Sequence, residues 1–471
     1  MGRFCIKKDE IETVKGDLVC NELEKLNAYG HSYSIKTIQQ SLQLLIGCST
    51  SFRGIEKIFD LFIDDDSQTP SFCTIRKWLG RIGIYELKRE KEYRDDWIFI
   101  TDFTIELGDK KALVILGVTQ EKLMKNILDK SGGLSHNDVE LLGLEIMDST
   151  KGEIIQSKLE ELTEKVGVPL QIVADNGSDL ARGIRLYKEN HPEVIYTHDV
   201  TQRKVCGEGF LPQNFSREAM ALLLKYQLKS DDRYQSFIQK CNICRQRLQQ
   251  TELSFLSPPA QRSQCRYFNI ERLTDWGIKL LNSSSETLIK LIPNSDDSLI
   301  HPKIRDKLGW LVEYESDLIQ WNQMVLMTRR LETQLKHEGI SYEVLDSFQK
   351  DKLLFVNTSL QNLQINIFEY LNKQCEKLKD KGTFLASSDV IESIFGKYKQ
   401  FSARCPFKEM GHMLLTICLS TMNLTADVVK NALETISFTQ VEEWLCEVFG
   451  QSTLSKRKTL FRDNNDDMKT A

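Results

Sequence analysis

The sequence predicts an α/β protein, in which a mixed sheet with flanking helices follows an N-terminal helical domain and is interrupted by a large all-α insertion. Two observations lead to this prediction. Apolar, β-branched runs alternate with amphipathic helical patterns between residues 95 and 204, whereas residues 205–380 show helical periodicity with almost no strand alternation. We therefore divide the chain into residues 1–94, 95–204, 205–380 and 381–471, the last with a helix returning to the sheet, further helices and a polar tail.

The N-terminal domain has helical patterns on both sides of a polar break. Apolar residues recur at helical spacing through SIKTIQQSLQLLIGCSTSFRGIEKIFDLF, with a turn at residues 47–50. After DDDSQTP, a further helix begins near Pro70. It resembles the recognition helix of a helix-turn-helix, with donors for phosphates and base edges at Ser71, Thr74, Arg76, Lys77 and Arg81. A small helical bundle with a solvated basic face explains the same pattern equally well.

The periodicity changes after Asp95. DDWIFITDFTI and KALVILGV predict two strands of a hairpin, with a turn at Gly108 and Asp109. VELLGLEIMD predicts a third strand, KGEIIQSKLEELTEKVG a helix and PLQIVAD a fourth strand. DLARGIRLYKEN then predicts a second helix and EVIYTHDV a fifth strand. The predicted order is therefore three strands, helix, strand, helix, strand.

Three acidic residues occur at matching places in this pattern. Asp102 in WIFITDFTIEL and Asp175 in LQIVADNGSDL lie at or near the ends of predicted strands, and Glu392 in SSDVIESIFGKYK opens an amphipathic helix. Mg²⁺ prefers hard oxygen ligands, usually a few carboxylates completed by water and substrate phosphate. The three carboxylates are therefore candidates for a metal site that acts on phosphate esters.

The order of elements and the motifs TDFT, VADNGSD and SSDVIESIFGKYK resemble those of DDE-type DNA transposases over residues 95–200 and 385–402. The resemblance implies a ribonuclease-H-like catalytic domain, with Asp102, Asp175 and Glu392 as both catalytic residues and metal ligands. It implies two Mg²⁺ ions, for which Mn²⁺ substitutes. The partners that it implies are double-stranded DNA, as transposon terminal inverted repeats and target DNA, and a second copy of the chain in a homodimer or higher oligomer.

Several transposases of this kind carry a helical insertion that contacts DNA ends and stabilises an everted base. By this resemblance, Trp310, Trp321 and Tyr314 are candidates, because flat aromatic faces receive unstacked bases. Large aromatic side chains at helical spacing are more often part of a core. That alternative is the better supported one from sequence alone.

Further candidates flank the three acids. Lys399 falls on the same helical side as Glu392 and is a phosphate-binding candidate, with Lys397 as its rival. Asp389 and Glu392 also fit a capping box, which taken alone is the simpler explanation. His198 and Asp199 end the fifth strand beside the catalytic edge, where they support the acids or form a purely structural pair.

Composition limits the class of protein. The net charge of −5 argues against a surface that is basic throughout, although it leaves room for local basic faces. Twelve cysteines show no disulfide-scaffold spacing, and the Cys241–Cys244 pair has no second pair with zinc-ligand spacing, so we expect free thiols and no structural zinc. No apolar run is long enough to span a membrane. We expect a reduced, soluble, cytoplasmic protein, nucleoid-associated if the source is bacterial.

Rival chemistries lack their motifs. The chain has no phosphate-binding loop with its lysine, no GxSxG elbow and no HExxH helix. The sequence therefore predicts a DNA transposase that cleaves transposon ends and transfers strands to target DNA. Two alternatives stay open: a related nuclease that cuts without joining, and a domesticated, non-catalytic DNA-binding derivative.

Overall fold

In the computed structural model the described residues are 26–62, 69–107, 110–128, 133–175, 177–199, 223–224, 227–260, 266–283, 297–350, 358–378, 382–403, 410–450 and 453–466. The chain divides into two compact units. The first unit comprises residues 1–125, 134–196 and 388–471, and the second comprises residues 126–133 and 197–387. The N-terminal helices, the strands that carry Asp102 and Asp175 and the helix that carries Glu392 thus belong to one unit.

A mixed five-stranded sheet forms the centre of the first unit, in the order β3-β2-β1-β4-β5. Its strands are β1 (Trp97–Leu107), β2 (Lys110–Thr119), β3 (Glu140–Met147), β4 (Gln171–Asp175) and β5 (Ile195–Asp199). Strand β1 is antiparallel to β2 and parallel to β4, and β2 is antiparallel to β3. The predicted mixed α/β fold is confirmed, and its five strands follow one another along the chain as the sequence predicts. The turn predicted at Gly108 and Asp109 lies outside the described residues.

Two helices cover one face of this sheet, α5 (Gly152–Val166) and α6 (Ser178–Asn190). Trp97 and Phe99 of β1 and Ile172 of β4 are buried with apolar residues of both helices in one cluster. The helices lie close together because Gly183 has no side chain: a Cβ there would lie 2.6 Å from the Cβ of Ile155. Between β2 and β3 the chain also forms α4 (Gln120–Leu128) and a 3₁₀ turn, His136–Asp138, neither of which the sequence pattern predicted.

The N-terminal helices pack against the C-terminal ones. The first three are α1 (Ile35–Cys48), α2 (Phe52–Phe62) and α3 (Phe72–Lys88). The helix that carries Glu392 is α13 (Asp389–Ala403). After it come α14 (Met410–Leu414), α15 (Thr416–Ser420), α16 (Ala426–Thr435), α17 (Phe438–Phe449) and α18 (Thr453–Asp466). Helix α3 contacts α15, α16 and α17, so it lies in the middle of this helical group.

Two glycines allow α3 to approach its neighbours closely. A Cβ on Gly80 would lie 2.8 Å from Val441, and one on Gly83 would lie 2.7 Å from Leu415. The α3 side chains Ile75, Trp78 and Leu79 are buried at this contact or beside it. At roughly 25 cal/mol per Å² of apolar surface, each such side chain contributes about 1.5–3 kcal/mol.

A buried carboxylate joins the helical group to the sheet. Glu86 at the end of α3 is 3 % exposed and accepts hydrogen bonds from Arg89, at 2.9 and 3.0 Å, and from the ammonium of Lys91. Arg89 also donates to Glu140 on β3 at 3.2 Å. Burial lowers the pKa of Lys91, because the buried ammonium has lost hydration. A buried charge is tolerated only when it is paired in this way.

Among the described residues 227–378 of the second unit, every helix or strand element is helical. The elements are α7 (Asp232–Leu248), α8 (Arg266–Asn282), α9 (Asp297–Leu308), α10 (Glu315–Glu338), α11 (Tyr342–Lys350), α12 (Thr358–Cys375) and the 3₁₀ segments Ser254–Leu256, Gly309–Tyr314 and Glu376–Leu378. Helix α8 packs along α10, and a Cβ on Gly277 would lie 2.9 Å from Leu318. Throughout the described chain, no helix is both long and apolar enough to cross a membrane.

We predict that Gly167→Ala destabilises the first unit. Gly167 leads from α5 towards β4 with φ +98°, and a Cβ there would lie 2.0 Å from the carbonyl oxygen of Arg94. Because strain and overlap act together, the free energy of unfolding should fall by at least about 2 kcal/mol. Denaturant unfolding of the purified variant measures this loss.

The control is Gly47→Ala. Gly47 lies within α1, and a Cβ there would meet nothing within 4 Å. Alanine should therefore stabilise by about 0.5–1 kcal/mol, since it reduces the entropy of the unfolded chain. Equal effects of the two substitutions would contradict the role given to Gly167.

Candidate active site

The register between β1 and β4 makes Asp102 and Asp175 neighbours. Paired positions run from Ile98 with Gln171 to Thr101 with Ala174, so Asp102 and Asp175 follow next on two adjacent parallel strands. Adjacent strands lie about 4.8 Å apart. The sequence placed both acids at or near strand ends; Asp175 does end β4, whereas Asp102 lies in the middle of β1, beside that end.

Strand alternation gives these two positions the same side of the sheet. Trp97 and Phe99 point into the cluster under α5 and α6, and Ile172 and Ala174 do the same on β4. Position 102 has the opposite parity on β1, and position 175 has the opposite parity on β4. The carboxylate of Asp102 is partly buried, and its Oδ1 accepts a hydrogen bond from the N–H of Phe103 at 2.7 Å.

Glu392 reaches this region on α13. Helix α13 packs against β1 and buries Ile391, Ile394 and Tyr398, while Glu392 itself is exposed in its first turn. The N–H of Glu392 is hydrogen-bonded to the carbonyl of Ser388 at 3.4 Å. Acidic side chains in a first turn also interact favourably with the helix dipole, so the capping explanation for Asp389 and Glu392 stays available. Lys399 is exposed, as expected of a phosphate contact.

A histidine that the sequence pattern did not single out contacts α13 twice. The Nε2 of His136 lies 3.0 Å from the Oγ of Ser393, and its Nδ1 lies 3.2 Å from the ammonium of Lys397. Burial, and then the charge of Lys397, lower the pKa of His136. Lys397 is thus engaged with His136 as well as being a candidate phosphate contact. No local motif marks His136, because its partners lie on a helix far away in the sequence.

The structure describes the remaining residues of this site only in part. His198 and Asp199 are the last residues of β5, next to β4 in the sheet, and their side chains lie outside the description. The side chain of Asp175 is also outside it. Among the side chains that are described, no group of three or more His, Cys, Asp or Glu could hold a metal ion. The metal site therefore stays a prediction.

The predicted recognition helix exists but is not an exposed one. Helix α3 begins as expected, with the Oγ of Ser71 accepting the N–H of Thr74 at 3.2 Å. The two hydroxyls also lie 2.9 Å apart, so both take part in the cap. Because α3 is packed on several sides by α15, α16 and α17, its basic residues do not form one free face.

The three basic residues of α3 that were predicted to contact DNA differ in their surroundings. Arg81 donates to the carbonyls of Leu433 and Ile436 at the end of α16, and its Nη1 lies 2.9 Å from the Nε2 of His31. This corrects the expectation that Arg81 contacts DNA. Arg76 is half-buried beside His412, and Lys77 is exposed with its ammonium 5.1 Å from the ring of Phe438.

The aromatic candidates of the second unit are mostly core residues. Trp321 is fully buried and donates from Nε1 to Asp231 at 3.0 Å, and Tyr314 is 3 % exposed. This corrects the expectation that either one receives an unstacked base. Trp310 is only half-buried, and the Lys240 ammonium lies 5.8 Å from its ring. Cys241 and Cys244 are buried free thiols.

Comparisons with known proteins add little to these observations. No protein-family model and no curated protein matches this chain. Among solved structures, it is similar to a chain of the Drosophila P element transposase strand transfer complex, with a TM-score of 0.40 and 10 % identity over 89 % of this chain and 100 % of that one. Neither value is high enough to assign a family or a function. The functional assignment therefore rests on the chain's own residues.

We predict that Arg81→Met destabilises the protein instead of weakening DNA binding selectively. The loss leaves two helix-end carbonyls without their donor, which costs about 2–3 kcal/mol of unfolding free energy. Lys77→Met on the same helix is the matched control and should cost under about 1 kcal/mol. Denaturant unfolding and DNA titration measure the two effects. Wild-type stability with reduced DNA affinity in Arg81→Met would return Arg81 to the DNA-contacting set.

A second prediction concerns pH. Burial and the neighbouring Arg76 lower the pKa of His412 to about 4, although the Glu442 carboxylate lies 4.0 Å from its Nε2. The unfolded state, with a pKa of about 6.5, therefore binds more protons between these values. The contribution of neutral His412 to the free energy of unfolding should be fully present above pH 6.5. It should fall towards pH 4, by at most about 1.4 kcal/mol per pH unit. Urea unfolding at several pH values tests this, and an unchanged pH slope in His412→Gln would contradict it.

Proposed function

We propose that this chain is a metal-dependent DNA transposase with Asp102, Asp175 and Glu392 as its catalytic acids. The observation that carries the proposal is the register of β1 and β4, which makes Asp102 and Asp175 neighbours on parallel strands. The packing of α13, which carries Glu392, against the same β1 supports it. Three acids from distant parts of the sequence thus lie on elements of one compact unit.

The donor set suits Mg²⁺. All three candidate ligands supply hard oxygen atoms, and two of them come from adjacent strands. Two ions held by these carboxylates would supply Lewis-acid activation of the attacking oxygen and stabilisation of the leaving one. Mn²⁺, with the same ligand preference, should substitute.

The chain's own groups have three tasks in this proposal. The Phe103 N–H orients the carboxylate of Asp102, since it occupies Oδ1 at 2.7 Å. Lys399 is exposed on the same side of α13 as Glu392, and its positive charge attracts the phosphate backbone. Lys397 is held nearby by its contact with His136. Positioning and electrostatics of this kind account for most of the catalysis of phosphoryl transfer.

The proposed reaction has two steps. Water attacks the phosphodiester at a transposon end, which breaks the P–O3′ bond and leaves a 3′-hydroxyl and a 5′-phosphate. That 3′-hydroxyl then attacks a phosphodiester of target DNA, forms a new P–O bond and displaces the target's own 3′-oxygen as a hydroxyl. Because two ends are joined, we expect at least a dimer.

The proposed division of labour follows the predicted boundaries, with a ribonuclease-H-like domain at 95–204 completed by the helix in 381–471. Residues 205–380 are proposed as an insertion that contacts DNA, for which the half-exposed Trp310 remains a candidate. In residues 1–94, Lys77 and Arg76 remain candidates for DNA contact, and Arg81 does not. His198 and Asp199, the last residues of β5, stay proposed as supporting residues of the acids.

We predict that Asp102→Asn, Asp175→Asn and Glu392→Gln each keep DNA-end binding but lose Mg²⁺-dependent cleavage. Each substitution removes a negative charge that contributes several kcal/mol to metal binding. The cleavage rate should therefore fall on the order of 100-fold or more. The substrate is a plasmid that carries the DNA flanking this gene. Gel electrophoresis measures cleavage, and a pre-cleaved end measures joining.

Asp179→Asn is the matched control. Asp179 lies close to Asp175 in the sequence, but it is exposed in the first turn of α6 and accepts from the Thr150 hydroxyl at 2.8 Å. Its variant should cleave like the wild type. Wild-type cleavage by any of the three acid variants would refute the assigned triad. Cleavage without joining would favour the nuclease, and binding without cleavage by the wild type would favour a non-catalytic derivative.

A further inference from the structure

His136 connects the sheet to the helix that carries Glu392. It lies in the 3₁₀ turn His136–Asp138, directly before β3, and its ring nitrogens contact two residues of α13. Ser393 and Lys397 are four residues apart and therefore lie on one side of the helix, and Ser393 directly follows Glu392. The histidine thus reaches α13 beside the proposed catalytic acid.

The partners of His136 determine where its proton is. The Lys397 ammonium has donors only, so the Nδ1 at 3.2 Å must accept. A neutral imidazole then carries its proton on Nε2, which donates to the Oγ of Ser393 at 3.0 Å. Both ring nitrogens are therefore used, and in opposite senses. The lowered pKa of His136 is consistent with this neutral form.

The turn that presents His136 is itself held in place. The N–H and Oγ of Ser135 both donate to Asp138, at 2.7 and 2.6 Å. The ammonium of Lys122 on α4 donates to the carbonyl of Asn137 at 2.9 Å. These bonds fix the backbone on both sides of His136. The ring is therefore attached to a rigid support that continues into β3.

The apolar packing of α13 involves one side of the helix, and Glu392 lies on another. Its buried residues, among them Ile391, Ile394 and Tyr398, form one stripe, whereas Glu392 and Ser393 are exposed. Because apolar packing is non-directional, it fixes how deeply a helix is buried better than it fixes the rotation of the helix about its own axis. Catalytic groups need positions fixed to about 0.5 Å and 10–20°. Two directional contacts at Ser393 and Lys397 supply that constraint beside Glu392.

We propose that His136 is a positioning residue for Glu392: through Ser393 and Lys397 it holds α13 at the rotation in which Glu392 faces Asp102 and Asp175. This inference rests on the proposed function. It requires a neutral imidazole with its proton on Nε2. It assigns Lys397 a structural contact in addition to its candidate role at phosphate.

The test uses the full-length protein with His136→Ala, and with Ser393→Ala as a milder second variant that removes only the hydroxyl. In His136→Ala the single-turnover Mg²⁺-dependent cleavage rate should fall roughly 10- to 100-fold, because small misplacements of a catalytic group cost that much. DNA-end affinity should stay within about twofold. The double variant His136→Ala/Ser393→Ala should cleave only slightly more slowly than His136→Ala, since both substitutions remove the same contact.

Two readouts do not depend on activity. Hydrogen–deuterium exchange without metal or DNA should accelerate across residues 389–403 in His136→Ala, and the imidazole ¹⁵N shifts of the wild type should show the Nε2–H form. His136→Asn keeps an acceptor near the Nδ1 position and should recover part of both the rate and the protection. His191→Ala is the matched control, because His191 also joins two elements of this unit, with its Nε2 2.8 Å from Glu160 on α5. It should change neither cleavage nor exchange in 389–403.

The outcomes separate the two proposals. A wild-type protein that cleaves no DNA with Mg²⁺ refutes the proposed function. A wild type that cleaves, together with a His136→Ala variant of equal rate, refutes only the positioning role. An Nδ1–H tautomer, or unchanged exchange in 389–403, also overturns it. A lower rate with unchanged DNA affinity, faster exchange and partial rescue by His136→Asn supports it.

Discussion

Parallel pairing of β1 with β4 is the contact on which the rest of the first unit depends. The pairing is fixed where the chain leaves α5: the Arg94 N–H donates to Val166 at 2.8 Å, and the Leu170 N–H donates to Trp97 at 2.8 Å. A parallel pair requires a crossover, which here runs through β2, β3 and α5. A slip of one residue would move every side chain of β4 to the other face and separate position 175 from position 102. The register between β1 and β4 thus determines both the packing of the core and the geometry of the site.

The helices around the sheet show a second dependence, between parts of the chain that are far apart in sequence. Helix α3 is surrounded by C-terminal helices, and Arg81 completes the hydrogen bonding at the end of α16. Glu86 and Arg89 then connect α3 to β3. The N-terminal helices are therefore an integral part of the unit that holds the sheet. A basic residue on such a helix satisfies backbone carbonyls before it can serve a ligand.

The sequence was sufficient where local pattern and burial agree. The apolar, β-branched run in WIFITDFTI and the helical periodicity in KGEIIQSKLEELTEKVG predicted the strands and helices of the sheet region, and Ser71 predicted the start of α3. The sequence was insufficient where the role of a residue depends on its contact with a distant part of the chain. Arg81 and Lys77 look alike in sequence, yet one is hydrogen-bonded to α16 and the other is exposed. The role of His136 likewise depends on partners that are distant in the sequence, Ser393 and Lys397. In retrospect, Gly80 and Gly83 were a signal, since small residues three apart permit close helix contact.

The packing of α3 against α15, α16 and α17 has a consequence for synthesis. Trp78 and Leu79 leave the ribosome long before Leu415 and Val441, which cover Gly83 and Gly80. At 5–20 residues per second, the intervening chain takes on the order of tens of seconds to make. During that time α3 can pack against α1 and α2, but its contacts with α15, α16 and α17 cannot form. Nascent chains stalled before residue 410 should therefore be clients of chaperones, and the helical group should complete only after release of the C-terminal helices.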